Sequence, residues 1–236
     1  MLKKFLFIFL FISIFFLGME VGVRKSFPYP ELKFLKILLI GNDRVNSKLH
    51  YYKKRFAEFF EFKKTYHIVM LGDSITDRTD WNKLLDRDDI LNRGISGDNT
   101  DGMLKRLDSF PHTIRVAFIM IGINDLGKGS SVEHIYLNYI KILTKLQKLA
   151  ITPIIQSTLY VTYDTDNRKN RDIVHLNSLI MRYAIKHNIV FIDLNYYLSK
   201  NGHLCYQYSN DGIHLNRLGY KKWGLILKNY LKKHKI

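Results

Sequence analysis

The hydrophobic positions of this chain follow two alternating patterns from residue 66 onward. Short apolar runs predict buried strands, and longer stretches with an apolar residue about every 3.6 positions predict amphipathic helices. One run, 116–121, is apolar throughout, which is typical of a central parallel strand covered on both faces. The predicted strands are 67–71, 90–95, 115–121, 152–159 and 189–192.

Helical stretches separate these strands. Ser131 stands where one of the long helices begins, and its hydroxyl can cap the free N–H groups of a first turn. The predicted helices are 49–66, 81–85, 100–107, 131–149, 167–187 and 215–233. Strands that alternate with helices indicate an α/β fold, with a parallel sheet covered by helices on both faces.

Composition and charge narrow the class of protein. The 236 residues are 47% hydrophobic, which is enough for one globular domain plus a tail. The net charge of +16 suits an anionic surface such as phospholipid or an acidic glycan. The lysines are scattered, however, and this favours a general compositional bias. No zinc-finger spacing or nucleic-acid-binding module accompanies the charge, so we expect no nucleic-acid partner.

The single cysteine, Cys205, excludes an intramolecular disulfide. Together with His203 it offers a candidate nucleophile pair, but a small half-buried side chain is the favoured interpretation. No cluster of metal-ligating residues surrounds it, so we expect no metal site.

The first 23 residues have the pattern of an export signal. Lys3 and Lys4 precede an apolar run from Phe5 that extends, weakly at its end, to Val23. Nineteen residues at about 1.5 Å each are close to the roughly 30 Å of a bilayer core. No small-x-small cleavage site follows, so a signal anchor is favoured over a cleaved signal peptide. We therefore expect an exported protein of the cell envelope, anchored in the inner or plasma membrane with its catalytic domain outside the cytoplasm, periplasmic or extracellular.

Three segments follow from these patterns. Residues 1–23 are the signal anchor or signal peptide, and residues 24–65 are a juxtamembrane connector that ends in an amphipathic helix. Pro28 and Pro30 interrupt any helix early in the connector. Residues 66–236 are the predicted catalytic domain.

A serine stands at the end of the first predicted strand, in the sequence Gly72-Asp73-Ser74. Open α/β folds keep their active sites at the carboxyl edge of the sheet, and a helix that starts there favours negative charge. A serine hydroxyl is a poor nucleophile unless a base lies within hydrogen-bonding reach. The triplet alone is therefore a weak signal, and its interpretation depends on the rest of the chain.

The remaining parts of an acyl-transfer site occur at other strand ends and in the last loop. His214 can serve as the base, and Asp211, three residues earlier, can orient its ring. A tetrahedral intermediate also needs donors for its oxyanion, and the candidates are the Ser74 and Gly94 N–H groups and the Asn124 amide. Each of these residues alone favours an ordinary turn or capping role. Their joint occurrence in this order favours catalysis.

This set of motifs resembles the SGNH hydrolases, also called GDSL-type esterases and lipases. The resemblance covers roughly residues 66–232, and two longer strings, 92–100 and 118–126, are similar to the branch with platelet-activating-factor acetylhydrolase-like and carbohydrate O-acetylesterase-like members. The motifs that carry it are GDSIT at 72–76, Gly94, GIND at 122–125 and DGIH at 211–214, followed by Leu215-Asn216 and Gly219-Tyr220.

The resemblance implies a three-layer α/β/α, flavodoxin-like fold with a parallel sheet of about five strands. It implies Ser74 as nucleophile, His214 as base and Asp211 as its orienting partner. Ser74, Gly94 and Asn124 would be the oxyanion donors. No metal or organic cofactor is implied.

The expected function is that of a serine esterase that works through an acyl-enzyme. The expected substrate is a small acyl group, most simply acetyl, on a cell-surface or wall carbohydrate. A lysophospholipase or other acyl-lipid esterase is one alternative, and an O-acetyltransferase with the same triad and a sugar acceptor is another. A non-catalytic scaffold is a third, and the intact Ser74, Asp211 and His214 argue against it. No oligomeric state is predicted.

Overall fold

Five parallel strands form the centre of the fold. The computed structural model describes residues 50–55, 58, 64–108, 110–163 and 168–236. The strands pair in the order β2-β1-β3-β4-β5, which is the flavodoxin-like order with its switch point between β1 and β3. They are β1 (Ile68–Gly72), β2 (Ile90–Gly94), β3 (Val116–Met120), β4 (Thr152–Gln156) and β5 (Val190–Ile192).

Helices connect the strands and close the domain. The helices between β3 and β4, between β4 and β5 and at the chain end are long, whereas those near the carboxyl edge of the sheet are short. They are α1 (Ser74–Asp77), α2 (Trp81–Leu85), α3 (Thr100–Leu104), α4 (Ile123–Gly127), α5 (Val132–Lys148), α6 (Arg168–Lys186), α7 (Asn195–Leu198) and α8 (Arg217–His234). A two-stranded hairpin, β6 (Ser199–Lys200) with β7 (His203–Leu204), and a 3₁₀ turn (Tyr206–Tyr208) precede α8.

The sheet is buried on both faces because alternate residues of β1 and β3 enter two separate cores. Ile68 and Met70 pack into a core with Trp223 of α8. Val69 and Leu71 pack into a second core with Ile135 of α5. This arrangement confirms the three-layer α/β/α fold and explains why the central strands are apolar at every position.

The long helices begin at polar caps that leave their apolar faces free to pack. The Ser131 hydroxyl accepts from the N–H of His134 at the start of α5, as predicted. The Asn216 side chain accepts from the N–H groups of Leu218 and Gly219 at the start of α8. Because α8 begins three residues after His214, this cap also sets where the loop that carries His214 ends.

The predicted strands and main helices are present, and their ends differ by a few residues. The fourth strand ends at Gln156 rather than at residue 159, because side chains bind the following backbone. The Thr158 N–H and C=O pair with the side chain of Asn177 at 2.9 Å each. The third helix ends at Leu104, where hydrogen bonds of the tighter i→i−3 type take over. The pattern did not predict α4, α7, the β6–β7 hairpin or the 3₁₀ turn.

The N-terminal predictions lie mostly outside the described residues. The signal segment 1–23 and the connector up to residue 49 are not described, and within the predicted helix 49–66 residues 50–55 and 58 are helical. In the parts of the chain that the structure describes, no helix is both long enough and apolar enough to cross a bilayer.

Gly94 ends β2 at a point of close backbone contact with α1. A Cβ on Gly94 would lie 2.6 Å from the Asp77 Cα and 2.8 Å from the Thr76 carbonyl carbon. Both neighbours are backbone atoms, which move only if the helix moves. The position therefore requires glycine for packing.

We expect Gly94→Ala to destabilise the domain by about 1–3 kcal/mol, the usual cost of overpacking a rigid site. Urea unfolding of the variant measures this cost. Gly127→Ala is the matched control, because a Cβ there meets no atom within 4 Å and the position is helical. Equal stability of the two variants would contradict this account of Gly94.

Candidate active site

Ser74 is the first residue of α1, directly after the tight turn that ends β1. The Asp73 carboxylate accepts from the Ile75 N–H at 2.9 Å and so caps this short helix. A Cβ on Gly72 would lie 2.6 Å from the Met120 carbonyl oxygen, so the turn admits no side chain there. The turn leaves Ser74 7% exposed, with its Oγ 2.8 Å from Nε2 of His214.

His214 and Asp211 form a compact turn in front of α8. The His214 Nδ1 lies 2.6 Å from Asp211 Oδ2, and the His214 backbone N–H donates to Asp211 Oδ1 at 2.7 Å. Because Asp211 accepts at Nδ1, the Nε2 atom is left to accept from the Ser74 hydroxyl. The structure thus brings together the serine, histidine and aspartate that the sequence singles out.

The charge on Asp211 is stabilised by the turn itself. Partial burial acts to raise its pKa, but hydrogen bonds from the His214 backbone, the His214 ring and the Ile213 N–H outweigh it and hold the pKa well below its usual range. Ser209 supports the same turn, since its hydroxyl donates to the His214 carbonyl at 2.7 Å and accepts from the Gly212 N–H at 2.9 Å. The carboxylate therefore remains ionised at neutral pH.

The structure contradicts the predicted use of Gly94 as an oxyanion donor. Its N–H donates to the Asn92 side chain at 2.8 Å. The Asn92 amide also reaches the carbonyls of Asp77 and Thr79 at 3.2 and 3.1 Å. The Gly94 N–H is therefore used in the junction between β2 and α1, where Gly94 is also closely packed.

Gly97, three residues further on, offers a backbone N–H that the sequence patterns did not single out. Its φ of +81° is a backbone conformation that favours glycine, and it lies in the turn between β2 and α3. Among the described residues, neither the Gly97 N–H nor the Ser74 N–H has an acceptor. The Asn124 amide donates to the Asp98 carbonyl at 2.8 Å, and this bond places it beside the same turn. A Ser-Gly-Asp triplet one step beyond the predicted strand is the signal that could have identified Gly97.

A buried cation connects the strand ends beneath the site. Arg106 is 1% exposed and forms an ion pair with Asp98 at 2.8 Å. Its other nitrogens donate to the carbonyls of Arg93 at 2.7 Å and Gly72 at 3.0 Å. The ends of β1 and β2 and the turn that follows β2 are therefore held by one side chain.

Three buried carboxyls lie in this part of the structure, and one of them, Asp98, is paired with the cation. Burial raises the pKa of Asp98, and the ion pair with Arg106 opposes the rise. Burial also raises the pKa of Asp125, against hydrogen bonds from Thr100 that favour its charge. For Asp73 burial again dominates over the Ile75 N–H, and with the nearby charges of Asp98 and Asp125 it raises the pKa to about 7.

The second candidate pair, Cys205 and His203, lies apart from the serine, histidine and aspartate. Cys205 is half-buried and lies between β7 and the 3₁₀ turn. The His203 ring contacts the Asn201 carbonyl at 3.0 Å. In the described ranges, no group of three His, Cys, Asp or Glu side chains is placed to hold a metal ion.

The fold and this arrangement of side chains are those of serine hydrolases. Residues 70–222 match the GDSL-like Lipase/Acylhydrolase family. The chain belongs to that family. This confirms the recognition of an SGNH hydrolase from its motifs.

Known proteins resemble the chain over most of its length. The N-acylneuraminate cytidylyltransferase of Streptococcus agalactiae serotype V is 29% identical over 168 residues, which are 71% of this chain and 38% of that protein. The chain thus spans well under half the length of that relative. A Streptococcus pneumoniae structure named for platelet activating factor superposes with a TM-score of 0.74 at 25% identity, over 84% of this chain and 98% of the other. A GDSL-like lipase of Bacteroides thetaiotaomicron does so with a TM-score of 0.67 at 22% identity, over 78% and 98%.

The raised pKa of Asp73 predicts a pH dependence of stability. Between an unfolded-state pKa near 3.8 and the folded-state value of about 7, the folded protein keeps a proton that the unfolded chain has released. The free energy of unfolding therefore falls as pH rises through this window and levels off above it, by up to about 4 kcal/mol in total.

Asp73→Asn has no proton to bind and still offers an oxygen to the Ile75 N–H. We expect the difference in unfolding free energy between variant and wild type to grow in favour of the variant from pH 4 to pH 7. Urea unfolding at several pH values measures it. A difference that is constant over this range would rule out a protonated Asp73.

Proposed function

We propose that the protein is an exported serine esterase that hydrolyses a small acyl ester, most simply an acetyl group, on a cell-surface or wall carbohydrate. The observation that carries the proposal is the continuous hydrogen-bonded series from Ser74 Oγ through His214 to Asp211, with distances of 2.8 and 2.6 Å. Such a series is the arrangement that activates a serine hydroxyl at neutral pH.

The reaction proceeds in two acyl-transfer steps. The Ser74 Oγ attacks the ester carbonyl while His214 Nε2 takes the hydroxyl proton. Asp211 stabilises the imidazolium that forms. The tetrahedral intermediate collapses, and His214 returns the proton to the departing alkoxide. Water, activated by the same histidine, then attacks the acyl-serine and releases the carboxylic acid and the free Ser74.

The oxyanion is bound by the N–H groups of Ser74 and Gly97 and by the Asn124 amide. Two observations support this set in place of the one with Gly94. The Gly97 and Ser74 N–H groups are unpaired within the described residues, and the Asn124 amide keeps one N–H beyond its bond to Asp98. Donors that are already oriented stabilise the developing charge without reorganisation.

A carbohydrate ester is supported by charge and by one relative. That relative is named for an N-acylneuraminate, an acylated sugar acid. The net charge of +16 would attract an anionic glycan. Export and anchoring by residues 1–23 would place the catalytic domain outside the cytoplasm, where such polymers occur.

An acyl-lipid ester is the second candidate, and a groove on α8 favours it. The groove has a volume of about 480 Å³ and combines the exposed apolar side chains of Leu218 and Leu225 with the ammonium groups of Lys221 and Lys222. Such a surface suits an anionic amphiphile. Neither Ser74 nor His214 lines it, and for this reason the lipid ranks second.

We expect Ser74→Ala and His214→Ala to lower kcat by several orders of magnitude, since both belong to one proton-transfer unit. We expect Asn124→Ala to lower kcat by about 10²–10³, the usual effect of losing one oxyanion donor. Hydrolysis of p-nitrophenyl acetate measures these effects, and Asn229→Ala, on the exposed surface of α8, is the control. A silent Asn124→Ala would remove Asn124 from the oxyanion hole.

The substrate is tested with a panel of esters. We expect turnover of p-nitrophenyl acetate and of an O-acetylated glycan, with rates that fall from acetate to palmitate. Preference for palmitate would replace the carbohydrate ester by the lipid ester. Product that forms only when a glycan acceptor is added, with negligible hydrolysis, would identify an O-acetyltransferase.

A further inference from the structure

Two tyrosine rings stand exposed beside the Asp211–His214 turn. Tyr163 is 63% exposed and Tyr206 is 67% exposed. Their ring centroids lie 5.4 Å apart and their planes are inclined by 74°, an edge-to-face pair. In such a pair the edge of one ring meets the face of the other, so at least one ring keeps both of its faces outside the contact.

The pair is attached directly to the turn that carries the base. The Tyr163 ring covers Gly212, because a Cβ on that glycine would meet Cδ2 at 2.6 Å and Cε2 at 3.1 Å. The preceding backbone is joined to the same residue, since the Thr162 N–H donates to the Gly212 carbonyl at 2.8 Å. Gly212 is two residues from His214, so their Cα atoms are at most about 7 Å apart.

We propose that Tyr163 and Tyr206 form a stacking platform for a pyranose ring in the alcohol portion of the ester. This inference rests on the proposed function and names the substrate group that lies next to the triad. The face of an aromatic ring carries negative charge density, which attracts the polarised C–H groups on one face of a sugar ring. The tyrosine hydroxyls remain in solvent and can bind the sugar hydroxyls.

Exposure distinguishes this platform from an acyl-chain site. Acyl chains bind in concave apolar pockets that bury most of the ligand. Tyr206 instead borders a cleft of about 400 Å³ whose lining includes the polar side chains of Asn201 and Gln207. Side-chain amides can form hydrogen bonds with the hydroxyls of a second sugar residue. The cleft could therefore bind the next residue of a polymeric substrate.

Binding is measured first, in the Ser74→Ala protein, which cannot turn over the ester. The probes are O-acetylated methyl glycosides of glucose and of an N-acylneuraminate, with dissociation constants from isothermal titration calorimetry or NMR. We expect Tyr163→Ala and Tyr206→Ala to weaken binding of at least one probe by about tenfold, which is about 1.4 kcal/mol. Phenylalanine at either position keeps the ring face and should retain most of the affinity.

Tyr196→Ala is the matched control. Tyr196 is 80% exposed and pairs edge-to-face with Tyr197 at 5.0 Å, so it has the same local character. It lines a different cavity together with Asn229 of α8, and Asn229 is about 20 Å along the helix axis from Asn216. We expect this variant to bind both probes as the parent protein does.

Hydrolysis of ethyl acetate separates the platform from the active site, because its alcohol is too small to reach the rings. With Ser74 intact, we expect Tyr206→Ala to keep kcat/KM for ethyl acetate within about twofold while KM for the acetylated glycoside rises. Tyr163→Ala also removes a contact to Gly212, so Tyr206→Ala is the decisive variant. An equal loss on both esters, an unchanged affinity for both glycosides, or the absence of glycoside binding would overturn the platform.

The outcome for the proposed function is separate. Ring-dependent binding of the glycosides without their hydrolysis would leave the platform standing and refute the carbohydrate-esterase reaction. Hydrolysis of the glycosides that does not depend on either ring would refute the platform and leave the esterase standing.

Discussion

The ion pair between Arg106 and Asp98 is the interaction on which the geometry of the site depends. The guanidinium lies under the carboxyl edge of the sheet and binds one carboxylate and the carbonyls of Gly72 and Arg93. Those carbonyls stand at the ends of β1 and β2, where buried carbonyls need donors. The Gly72 carbonyl accepts from the Ile95 N–H as well as from Arg106. Removing one partner from such a buried pair typically costs about 3–5 kcal/mol. The same atoms therefore stabilise the fold and set the position of the nucleophile turn.

Further hydrogen bonds connect Asp98 and its turn to the residues that follow the third strand. The Asp98 carbonyl accepts from the Asn124 amide, and Asp125 accepts from the hydroxyl and N–H of Thr100 at 2.5 and 3.1 Å. The turns after β2 and β3 are thus bound to each other on both sides. If the proposed donors bind the oxyanion, being held in this way spares them from moving when charge develops on the substrate. This arrangement buries several carboxyls close together. Burial raises the pKa of Asp73 most, and the nearby charges of Asp98 and Asp125 raise it further.

The sequence predicted the sheet, the long helices and the meeting of Ser74, His214 and Asp211, because each leaves a regular or ordered signal. The strands are continuous apolar runs, α5 has a serine cap, and Ser74, Asp211 and His214 stand in a recognisable order of motifs. Arg106 left no such signal, since a charged residue near the end of a predicted helix is expected to face solvent. The sequence points to Gly94 because this glycine stands at the end of a predicted strand, and Gly97 lies just beyond the same strand. Only the position of the Asn92 side chain shows that the first N–H is already bound.

The two halves of the site are built differently, and this difference bears on specificity. Ser74, Gly97 and Asn124 follow neighbouring strands and are joined by buried bonds. His214 lies on a turn supported by Ser209 and capped by Asn216. The turn is flanked by Tyr163 and Tyr206, which are exposed side chains in the segments that follow β4 and β7. No periodic pattern predicts them. The buried network fixes the type of reaction, whereas the exposed side chains beside the site can contact the alcohol portion of the ester. Sequence motifs therefore predict the reaction type. The substrate has to be inferred from exposed surfaces such as the one formed by Tyr163 and Tyr206.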